Sequence, residues 1–313
     1  MRESVGRLRD NIARVFIGHP EAVDRVVACL LARGHLLIED VPGVGKTVLA
    51  HAIARSVDCV FTRIQLTPDL LPSDVLGVSI YDRESGEFRL KRGPIFANIV
   101  LADEINRTTP RTQSALLEAM SEASVSIDGE AIPLEPPFML IATQNPAEFE
   151  GTYPLPENQL DRFLMRTTIG YPGQDDELRV LRERPGARTL PDLEPVLHRD
   201  DVLALQSAVD DVRTEESILS YIVRFADATR KAPELRLGLS PRGSLALAQA
   251  ARATAFLDGR DYTVPEDVTR NVAGVCAHRV IPAGGSAAFG TPGQHNATER
   301  LLLDILGTIP SPA

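Results

Sequence analysis

A glycine-rich run that ends in lysine and threonine, Val41-Pro42-Gly43-Val44-Gly45-Lys46-Thr47, has the composition of a loop that binds phosphate groups. Glycines let successive backbone N–H groups point at one anion, and the N-terminus of a following helix adds partial positive charge. Lys46 is placed to reach the outer phosphates of ATP, and the Thr47 hydroxyl is placed to bind Mg²⁺. A glycine-rich turn with no ligand is the alternative interpretation.

Asp40 stands where the full phosphate-loop pattern has a glycine, six residues before the lysine. Aspartate tolerates unusual φ angles better than most residues, so the turn can still form. We expect the Asp40 carboxylate to point away from the phosphates. The departure affects the detail of the loop and not the prediction of ATP binding.

Two carboxylates, Asp103 and Glu104, end the apolar run Ile99-Val100-Leu101-Ala102. Phosphoryl transfer depends on positioning and charge neutralisation more than on covalent chemistry. We expect Asp103 to orient Mg²⁺ through its water shell and Glu104 to polarise the attacking water. Alone, the pair would be interpreted as an acidic strand end or a helix cap; together with the phosphate loop it predicts ATP hydrolysis.

Asn145 and three arginines are further candidates for contact with the transferred phosphate. Asn145 follows an apolar run, where its amide can orient the water, although an ordinary Asn-Pro turn is the alternative. Arg162 can stabilise the charge of a transferring phosphoryl group, with Arg166 as the reserve; surface salt bridges are the alternative for both. Arg242 lies in the first turn of a helix, where a nearby anion would relieve its conflict with the helix dipole; a solvated arginine is the alternative.

The elements that must position these side chains are five short apolar runs separated by helical stretches. Runs of this kind predict buried parallel strands in an α/β sheet layered with helices. The runs cover residues 35–39, 60–64, 99–102, 138–142 and 164–169.

Two hairpins interrupt this pattern, over residues 78–90 and 125–134, the second with an Asp128-Gly129 turn. After Pro172 the chain is predicted to form helix after helix. We therefore predict an α/β core over residues 1–172 and a smaller all-helical domain over 173–282. A flexible segment and a C-terminal helix then occupy 283–313.

Composition narrows the function classes. The 313-residue chain is 43% hydrophobic and carries a formal net charge of −10 without a Lys/Arg-rich block, which disfavours nonspecific binding to duplex nucleic acid. Its 3 cysteines form no CxxC pair and its 6 histidines no HExxH pattern, so a zinc site is not expected. With no signal peptide and no membrane-spanning apolar run, the expected location is the cytoplasm.

Longer strings of residues resemble the MoxR family of AAA+ ATPases, in the clade with a hairpin inserted in the second helix of the core. The resemblance extends from Ile17-Gly18 to about Pro282 and is densest over residues 101–120. Further matching strings are Ile141-Ala142-Thr143-Gln144-Asn145-Pro146, Leu160-Asp161-Arg162-Phe163 and Gly259-Arg260-Asp261-Tyr262.

The resemblance implies a role for each matching position. Lys46 and Thr47 would be the Walker A pair, Asp103 and Glu104 the Walker B pair, Asn145 sensor 1, Arg162 the arginine finger and Arg242 sensor 2 on the lid. The hairpin over 78–90 would be the helix-2 insert. Family members form hexameric rings and act as chaperone-like ATPases, often beside von Willebrand factor A domain proteins. This chain has no Asp-x-Ser-x-Ser metal motif of that domain, so such a partner would be a separate polypeptide.

Three alternatives keep the same ATP site or part of it. The chain could be the motor subunit of a metal-tetrapyrrole chelatase, since the inserted hairpins fit both. A nucleic-acid motor is disfavoured by the acidic charge and by the lack of interleaved aromatic and basic residues. A nucleotide-dependent scaffold without hydrolysis is disfavoured by Glu104, which a pure binder does not need.

Overall fold

Strands and helices alternate in the first half of the chain, and helices dominate the second half. The computed structural model describes residues 2–145, 151–283 and 292–312. Its strands are β1 (Leu36–Glu39), β2 (Phe61–Gln65), β3 (Gly77–Asp82), β4 (Glu87–Arg92), β5 (Ile99–Asp103), β6 (Ser124–Ile127), β7 (Glu130–Pro133), β8 (Met139–Gln144), β9 (Met165–Thr167), β10 (Leu235–Leu237) and β11 (Ile281–Pro282). Its α-helices are α1 (Arg2–Ala13), α2 (Pro20–Leu31), α3 (Lys46–Ser56), α4 (Pro72–Leu76), α5 (Pro110–Glu122), α6 (Glu157–Leu160), α7 (Gln174–Glu183), α8 (Pro185–Arg188), α9 (Arg199–Asp210), α10 (Glu216–Lys231), α11 (Pro241–Leu257), α12 (Pro265–Cys276) and α13 (Pro292–Gly307).

The central sheet has five parallel strands in the order β2-β5-β8-β1-β9. Each strand comes from one of the five apolar runs, so the predicted α/β fold is confirmed. β1 and β5 are buried along their whole length, because helices cover both faces of the sheet. The carboxyl ends of β5, β8 and β1 meet at one edge, and this edge carries the candidate site.

His35 ties the middle of this sheet to a neighbouring helix. Its Nδ1 accepts the N–H of Leu140, and its Nε2 donates to the carbonyl of Met120 at 3.0 Å. Burial lowers the pKa of His35 to about 4, so the imidazole is neutral at physiological pH.

Both predicted hairpins form. β3 pairs with β4 and β6 with β7, each antiparallel. Asp128 and Gly129 have φ angles of 52° and 87°, the left-handed values that a two-residue hairpin turn requires. On the first hairpin, Tyr81 lies opposite Phe88 with ring centroids 5.3 Å apart, and both rings are exposed.

The second half of the chain contains α7 to α13. Ser240 begins α11 as predicted, with its Oγ accepting the N–H of Gly243 at 3.1 Å. The sequence did not predict β10 and β11, which pair with each other but are too short to show an alternating pattern. No helix in the described ranges has both the length and the apolar character needed to cross a membrane.

One hydrophobic cluster joins the two halves. It contains side chains of α1 to α3, of β1 and β5, and of α9 to α13. The boundaries predicted at residues 172 and 282 stay predictions, and most of the segment predicted to be flexible lies outside the described residues.

Candidate nucleotide-binding and hydrolysis site

The glycine-rich run forms an open loop between β1 and α3. Gly43 and Gly45 have φ angles of 90° and 93°, values that side chains rarely tolerate. Gly45 is the N-cap of α3 and offers no side-chain acceptor, so the first N–H groups of the helix face the loop without a cap from that residue. This arrangement fits an anion at the N-terminus of α3.

Lys46 lies across this loop. Its Nζ donates to the backbone carbonyls of Asp40 at 2.7 Å and Val41 at 3.2 Å. Burial lowers the pKa of Lys46, while the charges of Asp40, Asp103 and Glu104 oppose that shift. The carboxylates of β5 therefore lie within electrostatic reach of the lysine, as the predicted site requires.

Asp40 uses its carboxylate to join the loop to the end of β9. Its Oδ2 accepts the N–H groups of Ile169 and Gly170, both at 2.7 Å, and its Oδ1 accepts the N–H of Val41 at 2.8 Å. The carboxylate thus points away from the loop, as expected. The expected tolerance of unusual φ is not used, because Asp40 has no positive φ and the glycines alone supply that conformation.

Thr143 on β8 links the Asp103 carboxylate to the backbone of Glu104 at the end of β5. Its Oγ1 donates to Asp103 Oδ1 at 2.5 Å and accepts the backbone N–H of Glu104 at 2.9 Å. Glu104 has a φ angle of 60°, a left-handed conformation that is uncommon outside glycine and is often found at functional sites. Thr143 was not predicted as a site residue.

Two side chains of β2 hold the same carboxylates from the other side. Arg63 Nη2 donates to Asp103 Oδ2 at 2.6 Å, and Gln65 Nε2 donates to Glu104 Oε2 at 2.9 Å. Arg107 Nε lies 3.3 Å from the same Glu104 oxygen. The sequence signal for Arg63 and Gln65 was their spacing of two, which places both on one face of a strand next to β5.

Asn145 follows β8 directly and is buried. Because β8 lies between β5 and β1, the residue stands between the carboxylates and the phosphate loop. Its neighbour Gln144 donates to Glu39 Oε1 at 3.0 Å, which fixes the ends of β8 and β1 to each other.

Arg162 directly follows Asp161 in the chain, and Arg242 faces the Asp161 carboxylate. Arg162 Nη1 donates to the carbonyl of Leu117 at 2.9 Å and to the hydroxyl of Ser121, so it is held against the end of α5. Arg242 is 64% exposed, and its Nη1 is 3.8 Å from Asp161 Oδ2. Asp161 thus adjoins Arg162 in the chain and Arg242 in space.

Arg166 does not fit its predicted role as the reserve arginine finger. Its side chain is only 5% exposed, with Nη1 3.3 Å from Glu39 Oε2 and Nη2 3.2 Å from Glu299 Oε1. Burial raises the pKa of Glu39, and the Arg166 guanidinium opposes that rise. An arginine enclosed in its own subunit cannot reach a neighbour's site, a fact that residue spacing could not reveal.

An apolar pocket of about 530 Å³ adjoins the phosphate loop. Its walls come from the turn after α1, from the loop itself, from the end of β9 and from α7 and α8. They include Phe16, Ile17, Val44, Val180 and Leu181. The size and the lining suit a flat heteroaromatic base held beside its phosphates. Apart from Val44 of the phosphate loop, these residues were not predicted from the sequence; their only signal was the apolar turn Ile17-Gly18.

The donor set suits Mg²⁺ shared with phosphates. Within the described ranges, no group of three or more His, Cys, Asp or Glu residues could hold a metal ion unaided. The oxygens of Thr47 at the start of α3 and of Asp103 across the edge are of the kind that Mg²⁺ prefers, and these residues would hold the ion together with nucleotide phosphates and water.

Comparisons with known proteins agree with this geometry. Residues 35–165 match the family model described as the ATPase family associated with various cellular activities (AAA), and residues 227–299 match an AAA lid domain. Chaperone MoxR1 of Mycobacterium tuberculosis is 43% identical over 279 residues, which are 86% of this chain and 74% of that protein. The uncharacterized protein YeaC of Bacillus subtilis is 51% identical over 277 residues, covering 88% of this chain and 87% of YeaC. A crystal structure from Cytophaga hutchinsonii, provisionally described as an ATPase, has a TM-score of 0.89 at 36% identity and covers 100% of this chain and 96% of that one.

Similarity to chelatases is more distant. The magnesium-chelatase subunit ChlI of Nicotiana tabacum is 31% identical over 191 residues, which are 58% of this chain and 42% of that protein. This resemblance leaves much of both chains unmatched.

Proposed function

Since the chain belongs to the MoxR family of AAA+ ATPases and is therefore an ATP-hydrolysing enzyme, we propose that it hydrolyses Mg²⁺-bound ATP at sites shared between neighbouring subunits of a ring. The cycle would remodel or assemble a separate protein partner. The observation that carries this proposal is the meeting of Lys46, the two β5 carboxylates and Asn145 at one edge of the sheet, beside an apolar pocket.

Each group at this edge has a chemical task in the proposal. The apolar pocket takes the adenine, while the N–H groups of the loop and Lys46 bind the phosphates. Mg²⁺, held by Thr47 and Asp103, would neutralise phosphate charge. Glu104 polarises the attacking water, and Asn145 orients that water toward the γ-phosphate.

Arg162 and Arg242 are the reason for proposing a ring. Arg162 is held on α5 and adjoins Asp161, whose carboxylate also faces Arg242. Both cations would serve the ATP of the adjoining subunit and stabilise charge on the transferring phosphoryl group. Such a contact is head-to-tail, and head-to-tail contacts close into rings or continue as filaments; we propose a closed ring of six subunits.

We propose that the ring acts in the cytoplasm on a client that is a separate folded protein. A separate protein with a von Willebrand factor A domain is the partner class that the MoxR resemblance implies. The chelatase alternative has weaker support, because its relatives match only 58% of this chain.

The first test uses Glu104→Gln. This change keeps the size and hydrogen-bonding reach of the side chain but removes the charge that polarises water. We expect ATP binding to persist and turnover to be lost, with Glu216→Gln on α10 as the matched control that keeps wild-type turnover. Undiminished turnover in Glu104→Gln would remove Glu104 from its role.

The second test mixes two inactive forms, Arg162→Ala and Glu104→Gln. An Arg162→Ala subunit keeps its own carboxylates and receives an intact arginine from a Glu104→Gln neighbour. In a random equal mixture about one quarter of the subunits stand in this productive order, so about a quarter of the wild-type rate should return. Arg224→Ala, on the surface of α10, is the matched control. No recovery in confirmed rings would refute the shared site.

A further inference from the structure

Arg279 is a buried arginine that the proposed reaction does not use. It ends the short turn Ala277–Arg279 that follows α12, and its side chain is only 2% exposed. Burying a guanidinium is costly unless every N–H finds an acceptor. The acceptors of Arg279 therefore indicate what this cation is for.

All five N–H groups of Arg279 are accounted for, and four of their five acceptors lie in residues 161–164. Nε donates to Asp161 Oδ1 at 2.8 Å, and Nη2 donates to the carbonyls of Asp161 at 3.2 Å and Phe163 at 2.6 Å. Nη1 donates to the carbonyl of Leu164 at 3.1 Å and to that of Val275. Asp161 and Phe163 are the residues immediately before and after Arg162.

The neighbouring groups keep this contact charged and rigid. Burial lowers the pKa of Arg279, and the Asp161 carboxylate opposes that shift. An arginine stays protonated under these conditions. Burial also lowers the pKa of His278, and the Nε2 of its neutral ring donates to the same Phe163 carbonyl at 3.0 Å.

Asp161 is shared by two cations of the helical part. Its Oδ1 accepts from Arg279, and its Oδ2 faces Arg242 at the start of α11. The start of α11 and the turn after α12 thus converge on one carboxylate, and that carboxylate adjoins Arg162.

We infer that Arg279 is a positioning residue for Arg162, which fixes the backbone on both sides of that arginine to the end of α12. The inference rests on the proposed function, in which Arg162 serves the ATP of the adjoining subunit. The helices α11 and α12 and the segment 161–164 would then move as one unit. Loss of Arg279 would impair the neighbour's site while the subunit's own ATP binding stays intact.

The test is Arg279→Lys, measured alone and in mixed rings. Lysine keeps the positive charge beside Asp161 but has three donors instead of a five-donor fork. We expect turnover to fall roughly tenfold to a hundredfold, the cost of displacing a catalytic group by about 1 Å, with the Kd for ATP unchanged. Mixing with Glu104→Gln subunits should restore activity, because the Arg279→Lys site then receives a correctly placed Arg162.

Arg260→Lys is the matched control. Arg260 also clamps a buried carboxylate in the helical part, with Nη2 2.6 Å from Asp267 Oδ1, but it makes no contact with residues 161–164 in the hydrogen bonds of the described chain. Its variant should keep wild-type turnover whatever its loss of stability. Asp161→Asn repeats the test with a side chain of nearly unchanged shape, should Arg279→Lys fail to fold, and should be rescued in the same way.

The outcomes separate the inference from the proposed function. If Arg162→Ala is rescued by Glu104→Gln but Arg279→Lys and Asp161→Asn keep full turnover, or lose it without rescue, the positioning role is refuted and the shared site stands. If Arg162→Ala itself is never rescued, the shared site is refuted and the positioning role with it. Rescue of both variants supports the inference.

Discussion

Replacing Asp40 by glycine restores the phosphate-loop pattern and yet should damage the protein. The Asp40 carboxylate accepts the backbone N–H groups of Ile169, Gly170 and Val41. A hydrogen bond to a charged acceptor contributes about 1.5–3 kcal/mol, and the N–H of buried Ile169 would be left without that acceptor. The two other N–H groups are less enclosed and can gain water. With about 0.5–1 kcal/mol for the added freedom of glycine, we expect a total loss of about 2–4 kcal/mol.

The assay is denaturant unfolding followed by circular dichroism, since the chain has 0 tryptophans. Asp40→Asn keeps one acceptor oxygen and should lose about half as much. Asp128→Gly makes the same change in an exposed turn with positive φ and is the control that should stay near wild type. Ile169 and Gly170 also line the apolar pocket, so ATP should bind more weakly to Asp40→Gly. Unchanged stability together with tighter ATP binding would refute this reasoning and show that glycine suits position 40 of the phosphate loop better than aspartate.

Three further predictions test the pocket, the sheet and the buried ion pair. Val180→Asp should weaken ATP binding at least tenfold but leave the affinity for inorganic triphosphate, measured by competition, unchanged, because Val180 would contact only the base. Equal weakening of both affinities would show that the base binds elsewhere. His35 has a pKa lowered from 6.5 to about 4, so only the unfolded chain takes up its proton within that window. Stability should therefore fall by up to about 3 kcal/mol more in wild type than in His35→Gln as the pH drops from 6.5 to 4, and identical pH profiles would contradict this. Arg166→Leu removes the cation that offsets the buried charge of Glu39 and should lower the free energy of unfolding by about 3–5 kcal/mol; a loss below about 1 kcal/mol in denaturant titration would show that the pair is not needed.

Much of the fold followed from local patterns. Five apolar runs became the five strands of the sheet, and Asp128-Gly129 formed the expected hairpin turn. These features depend on residues close in sequence, whose period and turn chemistry can be interpreted without knowing their neighbours in space. The pair β10–β11 escaped prediction because it joins residues 235–237 to 281–282 with too few residues to show a period.

The candidate site was likewise predictable only where local patterns report it. Lys46, Asp103 and Glu104 could be proposed because motif and element order together indicate which strand ends meet. The hydrogen bonds of Asp40 to Ile169 and the burial of Arg166 depend on the packing of β9 against β1, which no local pattern reports. Thr143 was a strand residue like any other until the structure placed its hydroxyl between the Asp103 carboxylate and the backbone N–H of Glu104.

The hydrophobic cluster that joins α1 to α3, the sheet and α9 to α13 has a consequence for how the protein comes apart. Although the secondary-structure type changes at residue 172, the apolar side chains of the segments before and after it are packed against each other. Proteolytic nicking near that position should leave two pieces that stay associated in native buffer. On heating, the pieces should melt together in a single transition.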